Sequence, residues 1–395
     1  MPDPARHWSL DSETIFLNHG SFGACPLPVL DEQSRWRAVM ESQPVDFFVR
    51  RVEGHLDAAR NRLAAFLGAD PENLVWVPNA TTGVNAVLRS LELGPGDELL
   101  TTDHAYNACR NALEYTAERS GATVVVAEVP FPISSSAEAG MAILDRVGPR
   151  TRLALVDHVT SPTGLVFPIT EIVAQLRSRG VDTLVDGAHA PGMVPLDLES
   201  LGAAYYAGNC HKWLCAPKGA GFLHVRPDRQ DAIVPTSISH GANSPRTDRS
   251  RFQLLFDWTG TADPTPYLAV PTALDFMAGL LPGGWEEVMA ANRSLALGGR
   301  SLLCEALRVP VPAPEEMIGS LAAVPLPPAD RSDQPPASSL YGDPLQEVLL
   351  ERWKVEVPIV PWPGWPSRLV RVSAQVYNRP EQYSTLASAL KELLD

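Results

Sequence analysis

Two short segments of the chain hold residues whose types and spacing suit covalent carbonyl chemistry. The segment LVDGAHAPG, at 184–192, places Asp186 at the end of an apolar, β-rich run and His189 three residues later. The segment YYAGNCHKWLCAPKGAGFLH, at 205–224, places Lys212 just after another such run. A lysine in partly apolar surroundings has a lowered pKa and can form a Schiff base with an aldehyde. Taken singly, Asp186 could instead cap a turn, and Lys212 could lie on the surface.

Together, the two segments predict a site for pyridoxal 5'-phosphate. A carboxylate can hold the pyridine nitrogen of this cofactor protonated while a lysine holds its aldehyde. The cofactor phosphate needs a cradle, and ATTGVNAV, at 80–87, offers threonine hydroxyls and free backbone N–H groups at a helix N-terminus. The ring needs a planar neighbour, and DHAYNAC, at 103–109, offers His104 or Tyr106.

The elements that would position these residues alternate between strand and helix. Short, β-rich and nearly all-apolar runs recur at 73–78, 94–102, 122–129, 152–158, 182–189, 203–208 and 219–225. Such runs are typical of strands buried on both faces, and helical segments such as 169–180 lie between several of them. This order predicts an α/β fold with a mostly parallel sheet flanked by helices. From about 267 the order changes, which predicts a smaller C-terminal α+β domain.

Composition excludes several classes of protein. The 395 residues include 46 acidic and 32 basic side chains, and the net charge of −14 argues against nucleic-acid binding. No apolar run approaches the ~18 residues of a membrane span, and no sequence motif indicates a dinucleotide, a phosphate loop or a metal site. The five scattered cysteines suit the reducing cytoplasm. We expect the proline-rich stretch 308–337 to end in an exposed loop.

The lysine and aspartate segments resemble fold-type I pyridoxal-phosphate enzymes of aminotransferase class V, and among these the isopenicillin N epimerase-like proteins. The other segments that carry the resemblance are LNHGSFGACP (17–26), PVDFFVRR (44–51), the threonine-rich helix start, TDHAYNA (102–108), HVTSPTGLVFP (158–168), TGTADPTPYLAV (259–270) and RVSAQVYN (371–378). The resemblance implies a mixed, seven-stranded sheet that is mostly parallel. It also implies an N-terminal segment over the active site at 1–25, a large cofactor-binding domain at 26–266 and a small C-terminal domain at 267–395.

The resemblance further implies roles for individual residues. Lys212 would form the Schiff base, Asp186 would pair with the pyridine nitrogen, and Arg371 would clamp the substrate carboxylate. The remaining cofactor residues would be Thr81, Thr82, Asn209 and His211 at the phosphate, Ser161 and His189 at the ring hydroxyl, His104 or Tyr106 on the ring face, and Thr261 at the phosphate from a second subunit. Asn18 and His19 resemble the segment that closes over the substrate, although His19 could equally order the glycine loop. The active unit would be a homodimer.

The implied reaction is epimerisation or racemisation at the α-carbon of an amino-acid substrate, through a lysine Schiff base and a quinonoid carbanion. Lys212 would take the proton from one face, and Tyr106 or His104 would serve the other. The alternatives are a carbon–sulfur lyase acting on a cysteine conjugate and a class-V aminotransferase. Desulfurases place a nucleophilic cysteine shortly before the substrate arginine, whereas no cysteine follows Cys304 here. A persulfide mechanism is therefore disfavoured.

Overall fold

The computed structural model describes residues 4–330 and 342–394. The strands in these ranges are β1 Ile15–Phe16, β2 Leu74–Val77, β3 Glu98–Thr102, β4 Thr123–Ala127, β5 Thr151–Asp157, β6 Asp182–Gly187, β7 Tyr205–Asn209, β8 Gly221–Val225, β9 Leu321–Leu326, β10 Val355–Glu356, β11 Ile359–Pro361 and β12 Arg368–Ser373. The helices are α1 His19–Phe22, α2 Leu27–Ser42, α3 Pro44–Asp46, α4 Val52–Leu67, α5 Ala80–Ser90, α6 Asn107–Ser120, α7 Ser136–Leu144, α8 Ile169–Ser178, α9 Leu198–Leu201, α10 Arg251–Phe256, α11 Thr265–Leu268, α12 Val270–Ala278, α13 Gly284–Leu307, α14 Pro344–Trp353 and α15 Pro380–Leu394.

Seven of these strands form the central sheet, in the order β2-β8-β7-β6-β5-β3-β4. The five strands from β7 to β4 are parallel, whereas β8, near one edge, pairs antiparallel with both β7 and β2. Side chains alternate between two cores, so Leu155 and Leu184 pack on one face while Val156 and Val185 pack on the other. Helices cover both faces, which confirms the predicted α/β class and the mixed, mostly parallel sheet.

A smaller sheet lies in the C-terminal part of the chain. Its strands β11, β12 and β9 are antiparallel in that order. The N-terminal segment joins this part of the chain because β1 pairs in parallel with β10, Ile15 opposite Val355. The end of the proline-rich stretch, predicted as an exposed loop, lies largely outside the described residues. Among the described helices, none is long and apolar enough to cross a membrane.

Prolines explain two places where the elements differ from their predicted bounds. The helical pattern over 266–281 divides into α11 and α12 at Ala269, and Pro271 lies in the first turn of α12. The strand pattern over 355–360 divides into β10 and β11, with Pro358 between them. Proline has no backbone N–H to donate. It is therefore tolerated in the first turn of a helix but not in the interior, and it interrupts the hydrogen bonds between strands.

The sheet brings the functional segments together at one edge. The parallel strands β5, β6 and β7 end at Asp157, Gly187 and Asn209, and ligands bind at such carboxyl ends in open α/β sheets. The start of α5 reaches the same edge because the Asn209 side chain accepts a hydrogen bond from the Ala80 backbone N–H, 2.8 Å away.

Candidate active site

A cavity of about 540 Å³ opens at the carboxyl ends of β5, β6 and β7. We call it the inner cavity. The predicted site residues that line it are Thr81, Thr82, Tyr106, Ser161, Asp186, His189, Asn209, His211 and Lys212. The fold therefore gathers residues from five separate segments around the amine of Lys212.

The amine of Lys212 is prepared to act as a nucleophile. Burial and, to a lesser degree, the nearby Arg371 guanidinium lower the pKa of Lys212 to about 8, although Asp186 acts in the opposite direction. The Nζ atom lies 3.1 Å from Nε2 of His189. An amine with such a pKa is partly unprotonated near neutral pH, and only that form attacks an aldehyde.

The protonation of His189 follows from its two neighbours. The indole N–H of Trp213 donates to Nδ1 of His189 over 3.3 Å. Burial holds the pKa of His189 well below its usual value, and the Lys212 charge adds to this effect. A neutral imidazole that accepts at Nδ1 carries its proton on Nε2. Nε2–H therefore donates to the lone pair of Lys212, which favours the unprotonated amine.

The floor of the inner cavity carries two acids. Asp186 is fixed at the end of β6, where Oδ1 accepts from the Ala188 backbone N–H at 3.0 Å and Oδ2 accepts from the Cys109 thiol at 3.0 Å. Asp157, at the end of β5, lines the same cavity and was missed by the sequence analysis. The signal was available, because the predicted strands at 152–158 and 182–189 each hold an aspartate near their carboxyl end.

Polar groups also line the inner cavity around the start of α5. Asn79 caps this helix by accepting from the Thr82 backbone N–H and hydroxyl, at 2.9 Å and 3.0 Å. The His211 ring donates through Nδ1 to the Ala220 carbonyl, 3.2 Å away, and burial lowers its pKa to about 4. The helix start, with the Thr81 hydroxyl beside it, is a suitable environment for an anion.

Arg371 lines an adjoining cavity of about 240 Å³, the outer cavity, which it shares with Lys212, Tyr106 and Ser161. Nη1 of Arg371 donates to the carbonyl oxygen and hydroxyl of Ser161, at 2.6 Å and 3.3 Å. Nη2 donates to the Ser21 hydroxyl at 2.9 Å. Ser21 was not predicted, because one serine among many in the chain carries no sequence signal. The guanidinium is thus oriented before a ligand arrives.

The structure does not place Asn18 and His19 where the resemblance implied. Neither lines the inner or the outer cavity. His19 is fully buried, with Nδ1 2.8 Å from the Tyr377 hydroxyl and Nε2 3.1 Å from the Lys212 carbonyl oxygen. The Asn18 amide donates to Glu356 at 3.1 Å. Both residues fasten the N-terminal segment to the lysine turn and the C-terminal part, and the next residues, Gly20 to Phe22, face the outer cavity instead.

Tyr106 and His104, the two candidates for the cofactor's ring face, differ in whether they line the cavities. Tyr106 lines both cavities. His104 lines neither and is fully buried, with its ring nitrogens 2.7 Å from the Thr163 hydroxyl and 2.9 Å from the Val129 carbonyl oxygen. Its ring also lies 4.2 Å from that of Trp362, centroid to centroid. His104 therefore orders the loop that presents Tyr106, and Tyr106 is the better candidate for the ring face.

Thr261 lies outside both cavities. It is exposed, in the irregular segment between α10 and α11. The resemblance placed it at the cofactor of a second subunit, and an exposed position in a single chain is compatible with that role.

The residues of the inner cavity fit pyridoxal phosphate. A partly unprotonated amine, a carboxylate that is held by an amide and a thiol, and a helix start with hydroxyl donors lie in one cavity. These groups match the aldehyde, the pyridine nitrogen and the phosphate of the cofactor. Among the described residues, no cluster of three or more His, Cys, Asp or Glu side chains is arranged to hold a metal ion.

Comparison with known proteins gives a consistent result. The model of the aminotransferase class-V family matches residues 29–280. Isopenicillin N epimerase from Amycolatopsis lactamdurans is 40% identical, with 98% of this chain and 96% of that protein aligned. The enzyme of the same name from Streptomyces clavuligerus is 36% identical over 97% and 96% of the two chains. Putative L-cysteine desulfhydrase 1 from Oryza sativa subsp. japonica is 32% identical over 96% and 83%.

Solved structures agree with the fold. A variant of C-DES with glycine covalently linked to its pyridoxal-phosphate cofactor has a TM-score of 0.80 at 24% identity, over 99% of this chain and 100% of that chain. The Escherichia coli cysteine desulfurase CsdA has a TM-score of 0.78 at 20% identity, over all of both chains.

Proposed function

Since this chain belongs to the class-V aminotransferase family of pyridoxal-phosphate-dependent enzymes, we propose that it inverts the configuration of an amino-acid substrate at the α-carbon. One observation carries the proposal. The two relatives that are 40% and 36% identical to this chain, over nearly its whole length, are both isopenicillin N epimerases. The substrate class is thus a molecule with a free α-amino and α-carboxylate group.

Arg371 binds the α-carboxylate in this proposal. It is 5% exposed, lies in the outer cavity and is already oriented by Ser161 and Ser21. A planar guanidinium binds a carboxylate through two parallel hydrogen bonds, which fixes the direction of the substrate's other groups. When bound, pyridoxal phosphate withdraws electron density from the α-carbon and makes the α-proton acidic.

Lys212 and Tyr106 move the proton. Both side chains line both cavities, so each can reach the region where the inner and outer cavities meet. Lys212 takes the α-proton because His189 and the buried surroundings favour its unprotonated form. Inversion needs a second group on the opposite face, and Tyr106 comes from a different segment, just before α6. Its hydroxyl is the donor that we assign to that face.

A carbon–sulfur lyase is the second candidate. Putative L-cysteine desulfhydrases 1 and 2 of Oryza sativa subsp. japonica are 32% and 31% identical to this chain over 96% and 97% of it. The same Lys212 chemistry would serve this reaction, followed by loss of a sulfur group. A persulfide-forming desulfurase is disfavoured because, among the described residues, no cysteine lines either cavity. A class-V aminotransferase is the third candidate.

We also propose a homodimer in the cytoplasm. Thr261 is exposed, and so are the apolar side chains of Val45, Val49 and Ile238, at 66%, 72% and 60%. Apolar side chains this exposed are candidates for burial against a second subunit. The five cysteines are all free and buried, which supports a reducing compartment. The division at 25 and 266 into an N-terminal segment and two domains remains part of this proposal.

The reaction is tested by incubating the cofactor-loaded enzyme in deuterated water with isopenicillin N, L-cysteine, a cysteine conjugate and a panel of L-amino acids. We expect α-deuterium in both configurations of one substrate, without keto acid, pyruvate or released thiol. Pyruvate with sulfide or thiol, and no inverted product, would replace the epimerase assignment by the lyase. Keto acid as the main product would replace it by the aminotransferase.

A further inference from the structure

Asp157 is an acid for which the proposed reaction has no use, yet it lies in the inner cavity. Its side chain lines this cavity together with Asp186 and Lys212, and the residue is only 3% exposed. No side chain in the described part of the chain forms a hydrogen bond with either of its carboxyl oxygens, and the one backbone group that supports its charge is the N–H of Tyr106. A buried, ionised carboxyl group without strong partners is costly, so such a group normally binds a proton or a ligand.

The register of the sheet places Asp157 beside Asp186. The two residues are direct partners in the parallel pairing of β5 with β6. Their side chains project from the same face, because Leu155 and Leu184, two residues earlier in each strand, belong to one core. Neighbouring strands lie about 4.8 Å apart. The backbone therefore places the two carboxyl groups at neighbouring positions on one face of the sheet.

The Lys212 amine is the one cationic group that acts on Asp157 in the described part of the chain. Among the described ion pairs, none includes Asp157 or Asp186. The groups that act on Asp157 are the Asp186 carboxylate, the Lys212 amine and the backbone N–H of Tyr106. Cys109 faces the pair from α6 as a thiol, since burial and Asp186 raise its pKa well above the usual value. Burial and Asp186 likewise raise the pKa of Asp157 well above its usual value.

We propose that Asp157 and Asp186 hold one proton between them, with Asp157 as the neutral carboxylic acid and Asp186 as the carboxylate. Two carboxyl groups that project side by side from neighbouring strands repel each other when both are ionised, so one of them keeps its proton. The floor of the cavity then carries a single negative charge, which matches one protonated ring nitrogen. Asp157 is a positioning residue that sets the charge and orientation of Asp186.

Infrared spectroscopy tests the pair directly. The difference spectrum of wild type minus Asp157→Asn, near neutral pH, should contain the C=O stretch of one protonated carboxyl group that shifts in deuterated water. We expect the band with and without cofactor. Asp103→Asn, at the outer cavity, is the matched control and should leave the band unchanged, because the Asp103 side chain is 30% exposed. A wild-type spectrum without the band, or a band that survives Asp157→Asn, would overturn the proposal.

A second measurement tests the coupling. In Asp186→Asn the neighbouring charge is absent, so the band should titrate at least ~1 pH unit lower than in wild type. An unchanged titration would show that the two groups are independent and would contradict the shared proton. Asp157→Asn should bind pyridoxal phosphate within about threefold of wild type, because the net charge of the floor stays the same. A large loss of affinity would identify Asp157 as a second anion.

These outcomes do not depend on which reaction the enzyme performs. If Asp157→Asn does not fold, as judged by circular dichroism, Asp157→Ser takes its place in the difference spectrum. The titration of the band in wild type and Asp186→Asn then still decides whether the pair is coupled.

Discussion

Replacing Ser21 by alanine tests whether the N-terminal segment orients the substrate-binding arginine. The Ser21 hydroxyl accepts from Nη2 of Arg371 at 2.9 Å, whereas Nη1 donates to the carbonyl oxygen and the hydroxyl of Ser161. Ser21→Ala therefore removes a hydrogen bond to the second terminal nitrogen of the guanidinium. Hydrogen bonds to charged groups contribute ~1.5–3 kcal/mol.

Water can occupy part of the space that the Ser21 hydroxyl leaves, because the outer cavity is open, so we expect a loss of ~1–2 kcal/mol of substrate binding. At 1.4 kcal/mol for each factor of ten, KM should rise about 5- to 30-fold. The rate constant kcat should change little, because Lys212 and Tyr106 keep their places. Ser21→Thr retains a hydroxyl and is the matched control.

The assay is steady-state α-deuterium exchange with the substrate found in the panel, together with thermal unfolding of each variant. An unchanged KM in Ser21→Ala would refute the orienting role. Equal losses in Ser21→Ala and Ser21→Thr would also refute it, because the effect would then not depend on the hydroxyl.

Three further predictions concern the Lys212 amine, the packing of the N-terminal segment against the lysine turn, and the subunit interface. The rate of covalent attachment of pyridoxal phosphate to the cofactor-free enzyme can be followed by absorbance. It should rise ~tenfold per pH unit and level off at about pH 8, because the amine of Lys212 must be unprotonated to react. A rate that is independent of pH would contradict this. Gly23→Ala should reduce the free energy of unfolding by at least ~2 kcal/mol, since a Cβ at φ +69° would lie 2.0 Å from the His211 carbonyl oxygen. Gly54→Ala, in open space on α4, is its control in chemical denaturation and should be neutral or stabilising. Thr261→Val should weaken cofactor binding by ~1.5–3 kcal/mol while sedimentation still shows a dimer. A monomer with full activity would exclude a cofactor site shared between two subunits.

Local sequence pattern determines where Asp186, Lys212 and the start of α5 lie in the fold. Asp186 lies at the end of one buried strand and Lys212 follows another, and parallel strands bring their carboxyl ends to one edge of the sheet. The candidate phosphate-binding residues could also be predicted, because the local sequence pattern indicates that a helix begins at the Thr-rich segment of α5. That these residues lie near one edge of the sheet could therefore be predicted without any information on distant contacts.

The direction in which His19 and His104 point could not be predicted, because it depends on packing between distant segments. His19 and His104 stand in recognisable segments, but their rings turn inward to meet Tyr377 and Thr163. Residue type and spacing do not encode that rotation. Ser21 was missed for the converse reason, because it gains its importance only from Arg371, 350 residues away in sequence.

The covalent attachment site of the cofactor tests the account most directly. Reduction of the cofactor-loaded enzyme with borohydride, followed by proteolysis and peptide mapping by mass spectrometry, should place one pyridoxyl group on Lys212. The chain supplies its own control, since Lys218 lines the same cavity but its amine donates to the Gly23 carbonyl oxygen at 3.0 Å. A pyridoxyl group on Lys218, or no stable adduct at all, would contradict the assignment of Lys212 and the proton transfer that depends on it.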